Sequence, residues 1–142
     1  TGYFGDLTRT VVRGRASYAL HEAYAIVHEG VRLGHGMIRE GVQGLDVHRA
    51  IQALFARQGY KTGVKDGRMQ GFFHGTGHGL GLQIHEAPSI GKRPCVLRAG
   101  HVVTVEPGLY YIGLGGVRIE DVAVVTKTGS RCLTRVEKQF EV

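Results

Sequence analysis

The sequence predicts an α+β fold. Two stretches with helical periodicity come first, and after residue 60 the texture changes to short strands separated by glycine-containing turns. The apolar fraction of 42% and charged fraction of 21% are those of a globular chain with a core. At 142 residues the chain is the size of one domain and can bury that core without disulfides.

The elements follow in order. Residues 3–13 read as extended chain around a turn, with Thr8, Thr10, Val11 and Val12 favouring strand. Ser17 is placed to cap a helix running to about Met37, because Leu20, Tyr24, Val27 and Val31 recur at steps of three or four. Residues 41–44 interrupt. Asp46 then reads as the N-cap of a second helix, with Val47, Ala50, Ile51, Leu54 and Phe55 as its buried stripe and Gly59 as its stop. Residues 61–70 read as a polar loop. Residues 102–106 read as a strand ended by Pro107-Gly108, and residues 117–126 as another, set between Gly115-Gly116 and Thr128-Gly129.

Composition excludes several classes. No run approaches the ~18 apolar residues of a membrane span, and the start, which lacks Met, has no signal-peptide pattern. Cys95 and Cys132 form no C-x-x-C pair, so neither a disulfide framework nor a zinc ribbon is implied. They read as two buried free thiols in a reducing cytoplasm. The formal charge of +6 is spread along the chain without a dense basic block or interleaved aromatics, which argues for a solvated basic surface rather than a nucleic-acid site.

Glycine is the unusual feature, 23 of 142 residues against a typical ~7%. Five glycines and three of the eight histidines fall within residues 71–85. Glycine allows close backbone approach, and histidine offers a neutral nitrogen to a metal or a proton carrier near neutral pH. The pattern predicts a strand–turn–strand that brings imidazoles into a cleft. G-x-G-x-x-G fails in every register, and there is no Walker loop, H-E-x-x-H helix or G-x-S-x-G elbow. Three carboxylates, Asp6, Glu106 and Glu120, stand in or beside apolar strand candidates, where an acid is costly unless paired or bound to a cation. Each alone reads as a salt bridge, for instance Glu120 with Arg118 or Arg9. Together with the histidines they point to a metal site, of a donor type that suits Mn²⁺, Fe²⁺, Co²⁺ or Zn²⁺.

Four motifs carry a family resemblance. His-Gly-Thr-Gly-His-Gly-Leu-Gly-Leu-Gln-Ile-His-Glu-Ala-Pro (residues 74–88), Val-Glu-Pro-Gly-Leu-Tyr (105–110), Gly-Val-Arg-Ile-Glu-Asp (116–121) and Asp-Leu-Thr-Arg-Thr (6–10) resemble the proline peptidases aminopeptidase P and prolidase. These are relatives of methionine aminopeptidase with the pita-bread fold. The pair His74 and His78 resembles the proline branch rather than the methionine branch.

The resemblance implies that the chain, residues 1–142, is the carboxy-terminal portion of a pita-bread catalytic domain, a curved and mainly antiparallel sheet with two long helices. It implies metal-dependent hydrolysis of Xaa–Pro bonds in a peptide with proline in the second position. Asp6 resembles a metal-bridging aspartate, His78 the histidine ligand, Glu106 a glutamate ligand that also moves protons, and Glu120 the other bridging carboxylate. His85 resembles the histidine that contacts the scissile carbonyl, and His74 and Arg118 resemble residues that shape the proline side. The catalytic set is thus Glu106, His85 and His74, and the metal set Asp6, His78, Glu106 and Glu120.

The cofactor implied is divalent metal, two ions in the intact family, manganese first and cobalt, zinc or iron as alternatives. The family's first metal aspartate falls upstream of Thr1, as do the first half of the domain and the amino-terminal domain. One metal position is therefore expected complete and the second lost or weakened. A free sheet edge implies pairing, as a homodimer or with the missing half. Two alternatives remain, a non-catalytic binding module on this fold and a metal-free hydrolase related to creatinase.

The other candidates read as structural. His21, His28, His35 and His48 lie on helices, and His101 heads a strand. Tyr110 and Tyr111 read as core or cleft wall. Thr8, Arg9 and Thr10 are expected to brace Asp6, and Asp121 to stand behind the ligands.

Overall fold

The structure is a computed structural model and describes residues 2–142. Helix α1 (Tyr18–Met37) begins where the Ser17 hydroxyl accepts the Leu20 N–H at 3.3 Å. Its buried face carries Ala23, Tyr24, Val27 and Val31, the spacing the sequence predicts. Helix α2 (Gly44–Arg57) starts two residues before the expected cap, so Asp46 lies in its first turn, where its charge still suits the helix dipole. Val47, His48, Ile51, Leu54 and Phe55 are buried, and Gly59, at φ 86°, lets the chain leave the helix.

Nine short strands follow among the described residues. β1 (Gly63–Lys65) and β2 (Arg68–Gln70) form an exposed hairpin where a polar loop is expected. Its turn is Asp66-Gly67, both at positive φ, a two-residue connection that needs no apolar alternation. β3 (Gly77–Gly79), β4 (Glu86–Ile90), β5 (Val102–Val105), β8 (Asp121–Val125) and β9 (Ser130–Cys132) make one antiparallel sheet in the order β4-β3-β5-β8-β9. β6 (Gly108–Tyr111) and β7 (Gly115–Arg118) form a separate hairpin.

The single strand expected over residues 117–126 is two strands of different sheets. The chain breaks at Ile119-Glu120, where the Glu120 N–H donates to the Thr8 carbonyl at 3.0 Å. Residues 3–13 hold no helix, as expected, but join no named strand, touching the rest through bridges at Thr8–Glu120 and Val12–Glu141.

Both helices pack on the strands, α1 against β7 and α2 against β4, around Ile51, Phe55, Phe72, Ile90, Val105 and Ile119. Cys95 is half-buried and Cys132 exposed, which corrects the expectation of two buried thiols; both are free. Among the described residues no helix is long and apolar enough to cross a membrane.

Candidate metal centre

Four separate stretches deliver the expected ligands. Asp6 comes from the extended first segment, His78 from the middle of β3, Glu106 from the residue after β5, and Glu120 from the break between β7 and β8. The register of β3 against β4 shifts between His78 and Gly79, and such a bulge re-aims the side chain beside it. Gly77 and Gly79 make this possible. A Cβ on Gly77 would overlap the Thr104 carbonyl oxygen, and one on Gly79 would overlap that of Ala87. The glycines thus serve the close approach of strand to strand.

Three of the four side chains, Asp6, His78 and Glu120, converge on one point, and Glu106 joins them through His78. Ligand atoms of Asp6, His78 and Glu120 lie within 4.8 Å of one another. His78 Nε2 stands 3.1 Å from Glu106 Oε1 and 3.7 Å from Asp6 Oδ2. The Nδ1 of His78 meets the Gly79 carbonyl at 3.0 Å. A carbonyl only accepts, so Nδ1 carries a proton and Nε2 is left to face the carboxylates, donating to Glu106 when the ring is charged and offering a lone pair when it is neutral.

Beside them lies a cavity of about 370 Å³, lined by His74, Gly75, Gly77, His78, His85, Glu106 and Arg118. His85 is exposed, its ring 4.4 Å from that of His78 and edge-on to it. His74 donates from Nδ1 to the Gly75 carbonyl at 2.7 Å, and its Nε2 meets the Tyr110 hydroxyl at 2.9 Å.

Burial opposes charge on His78, but hydrogen bonds to Glu106 and the Gly79 carbonyl, with the charges of Glu106 and Asp6, hold its pKa above the ordinary value. Burial works to raise Glu106, yet the hydrogen bond and charge of His78, then His74 and Thr104, keep it ionised below the usual range. Burial pushes Glu120 up to about 7. The Thr8 hydrogen bond opposes this, and the charges of Glu106 and Asp6 add to it. Burial lowers the pKa of His74.

Carboxylates that share one space with an imidazole lone pair repel unless a proton or a cation lies between them. Oxygen donors with a single imidazole fit a divalent ion of the Mn²⁺ to Zn²⁺ series.

Further residues hold these four side chains. The Thr104 hydroxyl accepts from the His78 N–H at 3.0 Å and donates to Glu106 at 3.2 Å. Thr8 donates to Glu120 at 2.5 Å and accepts from Arg118 Nε at 3.1 Å. Arg9 bonds the Glu120 carbonyl at 2.6 Å and the Asp121 carboxylate at 2.7 Å, and Thr10 bonds the Arg118 backbone. Residues 8–10 therefore brace the break between β7 and β8 that carries Glu120, which corrects the expectation that they brace Asp6.

Sequence reasoning missed Thr104 and gave Tyr110 no partner. A hydroxyl two residues before Glu106 is the only sequence signal for the first. A second trio, His35, Asp121 and Cys132, also brings donor atoms together. There both oxygens of Asp121 already pair, with Arg9 at 2.7 Å and Lys138 at 2.8 Å, so its charge is spent on the fold.

Comparison with known proteins bears on the family and the fold. The sequence profile of metallopeptidase family M24 matches residues 1–127. An Xaa-Pro dipeptidase of Pyrococcus horikoshii is 36% identical over 139 residues, which are 97% of this chain and 37% of that protein. The structure superposes on that of an Xaa-Pro dipeptidase from Bacillus anthracis with a TM-score of 0.88 at 40% identity, covering 99% of this chain and 38% of that one. An X-Pro aminopeptidase from Thermotoga maritima gives 0.87 at 34% identity, covering 99% and 38%. The α+β class and the pita-bread architecture both hold. The chain spans less than two-fifths of the length of these relatives.

Proposed function

Since the chain belongs to metallopeptidase family M24, we propose that it carries the metal-binding part of an enzyme that hydrolyses Xaa–Pro peptide bonds. The observation that carries this reading is His78 Nε2, turned by the Gly79 carbonyl toward the carboxylates of Asp6 and Glu106, with a Glu120 oxygen in reach of the same point. The names of the relatives, Xaa-Pro dipeptidase and X-Pro aminopeptidase, supply the substrate class, a peptide with proline in second position.

Asp6, His78, Glu106 and Glu120 would hold the divalent cation, manganese first. When bound, such an ion lowers the pKa of water and polarises a carbonyl. Glu106, ionised by its contact with His78, takes a proton from the attacking water and returns it to the proline nitrogen as the C–N bond breaks. His85, exposed on the cavity wall, donates to the carbonyl oxygen on which negative charge grows. Arg118 and His74 line the same cavity and face the proline side. The hydrogen bond from Tyr110 occupies His74 Nε2, so His74 orients substrate as a neutral ring.

One tight ion per chain belongs to this proposal, supported by the mutual reach of Asp6, His78 and Glu120 and by the contact of Glu106 with His78, and a titration that finds two would overturn that part. Self-association through the free edges β4 and β9 belongs to the same proposal, and a light-scattering mass of one chain would remove it. So does a cytoplasmic location, for which the two free thiols speak.

The test is cleavage of Xaa-Pro dipeptides and longer Xaa-Pro peptides with Mn²⁺, before and after chelation. Glu106→Gln is expected to lower kcat by at least about 100-fold. Hydrolysis that persists unchanged after chelation and in Glu106→Gln would overturn the reading.

A further inference from the structure

His48 was read from the sequence as packing on a helix. It is 1% exposed, and its Nδ1 lies 3.0 Å from the hydroxyl of Thr76, which is fully buried. Thr76 stands midway between His74 and His78. Its N–H donates to the Ile90 carbonyl at 2.7 Å, and its own carbonyl accepts the Glu106 N–H at 2.7 Å. One residue thus ties the end of β4, the two imidazoles and the backbone of Glu106 to one another, and its side chain has a single partner, on α2. The Phe72 ring reinforces this link. It packs edge-on against His48 at 5.2 Å and against His74 at 5.1 Å.

We propose that His48 is a positioning residue for the metal centre, a latch from α2 that fixes Thr76 and through it the aim of His78 and Glu106. This rests on the reading of the centre given above. The stability of the fold gains little from an imidazole here. Its Nε2 is buried without a hydrogen-bond partner among the described residues, which costs the desolvation of that atom. An apolar side chain of similar size would fill the space without that cost and would release Thr76. A latch and a packing residue therefore differ in what His48→Leu does. As a packing residue, its replacement leaves function in step with stability. As a latch, its replacement keeps or raises stability while the centre loosens.

The experiment measures Mn²⁺ affinity by calorimetry, melting temperature, and kcat and KM on an Xaa-Pro peptide. It uses the full chain as it occurs in the cell, as wild type, His48→Leu, His48→Asn, Thr76→Val and His48→Leu/Thr76→Val. Asn places a hydrogen-bonding atom near the Nδ1 position. Expected are a melting temperature for His48→Leu at or above wild type, Mn²⁺ affinity about tenfold weaker in His48→Leu and in Thr76→Val, and kcat lowered more than KM is raised. His48→Asn should return affinity to within about threefold of wild type, and the double variant should be no worse than either single.

A folded His48→Leu or Thr76→Val with wild-type affinity would overturn the latch, and so would losses that multiply in the double variant. Should His48→Leu not fold, Thr76→Val, which removes only the hydroxyl, decides alone. A wild-type chain that binds Mn²⁺ without cleaving Xaa-Pro peptides would overturn the substrate reading and leave affinity to judge the latch. One that binds no divalent metal would overturn both.

Discussion

His78 Nε2 and Glu106 Oε1 lie 3.1 Å apart, and each shifts the other's proton affinity in the direction that holds the pair together. The imidazole rises and the carboxyl falls, although burial alone would do the opposite to both. Thr104 sets the distance, since its one hydroxyl takes the His78 N–H and binds Glu106. A cation placed between such groups replaces the proton that the pair would otherwise share.

Divalent metal should therefore stabilise the fold. At a free ion concentration 100 times its Kd, Mn²⁺ should add about 2.7 kcal/mol, read as a higher urea midpoint. Asp6→Asn and His78→Ala should shrink that gain, and an equal gain in both variants would place the ion elsewhere.

Acid should weaken the fold through His48. Burial, then the charges of Lys92 and His74, push its pKa down from 6.5 to about 4. The folded chain thus refuses a proton that the unfolded chain accepts. The contribution is complete above pH 6.5 and is lost as the pH falls from there to about 4, by roughly 3 kcal/mol at most. Urea melts between pH 7.5 and 4 should show a shallower loss for His48→Asn than for wild type, because every other titrating group is common to both.

Gly77→Ala should cost at least about 3 kcal/mol. Its Cβ would overlap a backbone oxygen of the neighbouring strand, and backbone cannot move aside as a side-chain tip can. Gly36→Ala is the control. It lies on an exposed turn of α1 with no atom within 4 Å of the added carbon, and should gain about 0.5–1 kcal/mol. Similar thermal melts for the two variants would contradict the close approach of β3 to β5.

Arg9→Ala should destabilise the chain by about 3 kcal/mol, because Asp121, its side chain 3% exposed, would keep only Lys138. Arg9→Lys should recover little of this. One ammonium cannot reach the carbonyls of Thr8, Glu120, Val136 and Glu137 together with the Asp121 carboxylate, as the guanidinium does. Full recovery by lysine, in chemical denaturation, would mean that charge alone matters at this position.

Local periodicity made α1 legible, down to the hydroxyl of Ser17. It misplaced the start of α2, because packing sets that end. A Cβ on Gly44 would overlap the Ser89 carbonyl, so the helix begins where β4 allows close approach. The β1–β2 hairpin escaped notice because its strands are three residues long, mostly exposed and carry one apolar side chain each, although Asp66-Gly67 marked the turn. Residues 117–126 alternate like one strand. Only Thr8, more than a hundred positions earlier in the chain, pairs with Glu120 and divides them.

From residue order alone came the class of the fold, the glycine–histidine cluster and the three carboxylates that with it point to a metal, while the choice of His78 among the histidines came from the family resemblance of the motifs. Those are properties of side-chain chemistry and short-range spacing, which a linear string preserves. Which atoms meet was left to the folded chain. The bulge that aims His78, the hydroxyls of Thr8 and Thr104, the partner of Tyr110 and the reach of His48 to Thr76 all join residues distant in sequence, and their contacts exist only after the strands have been laid side by side.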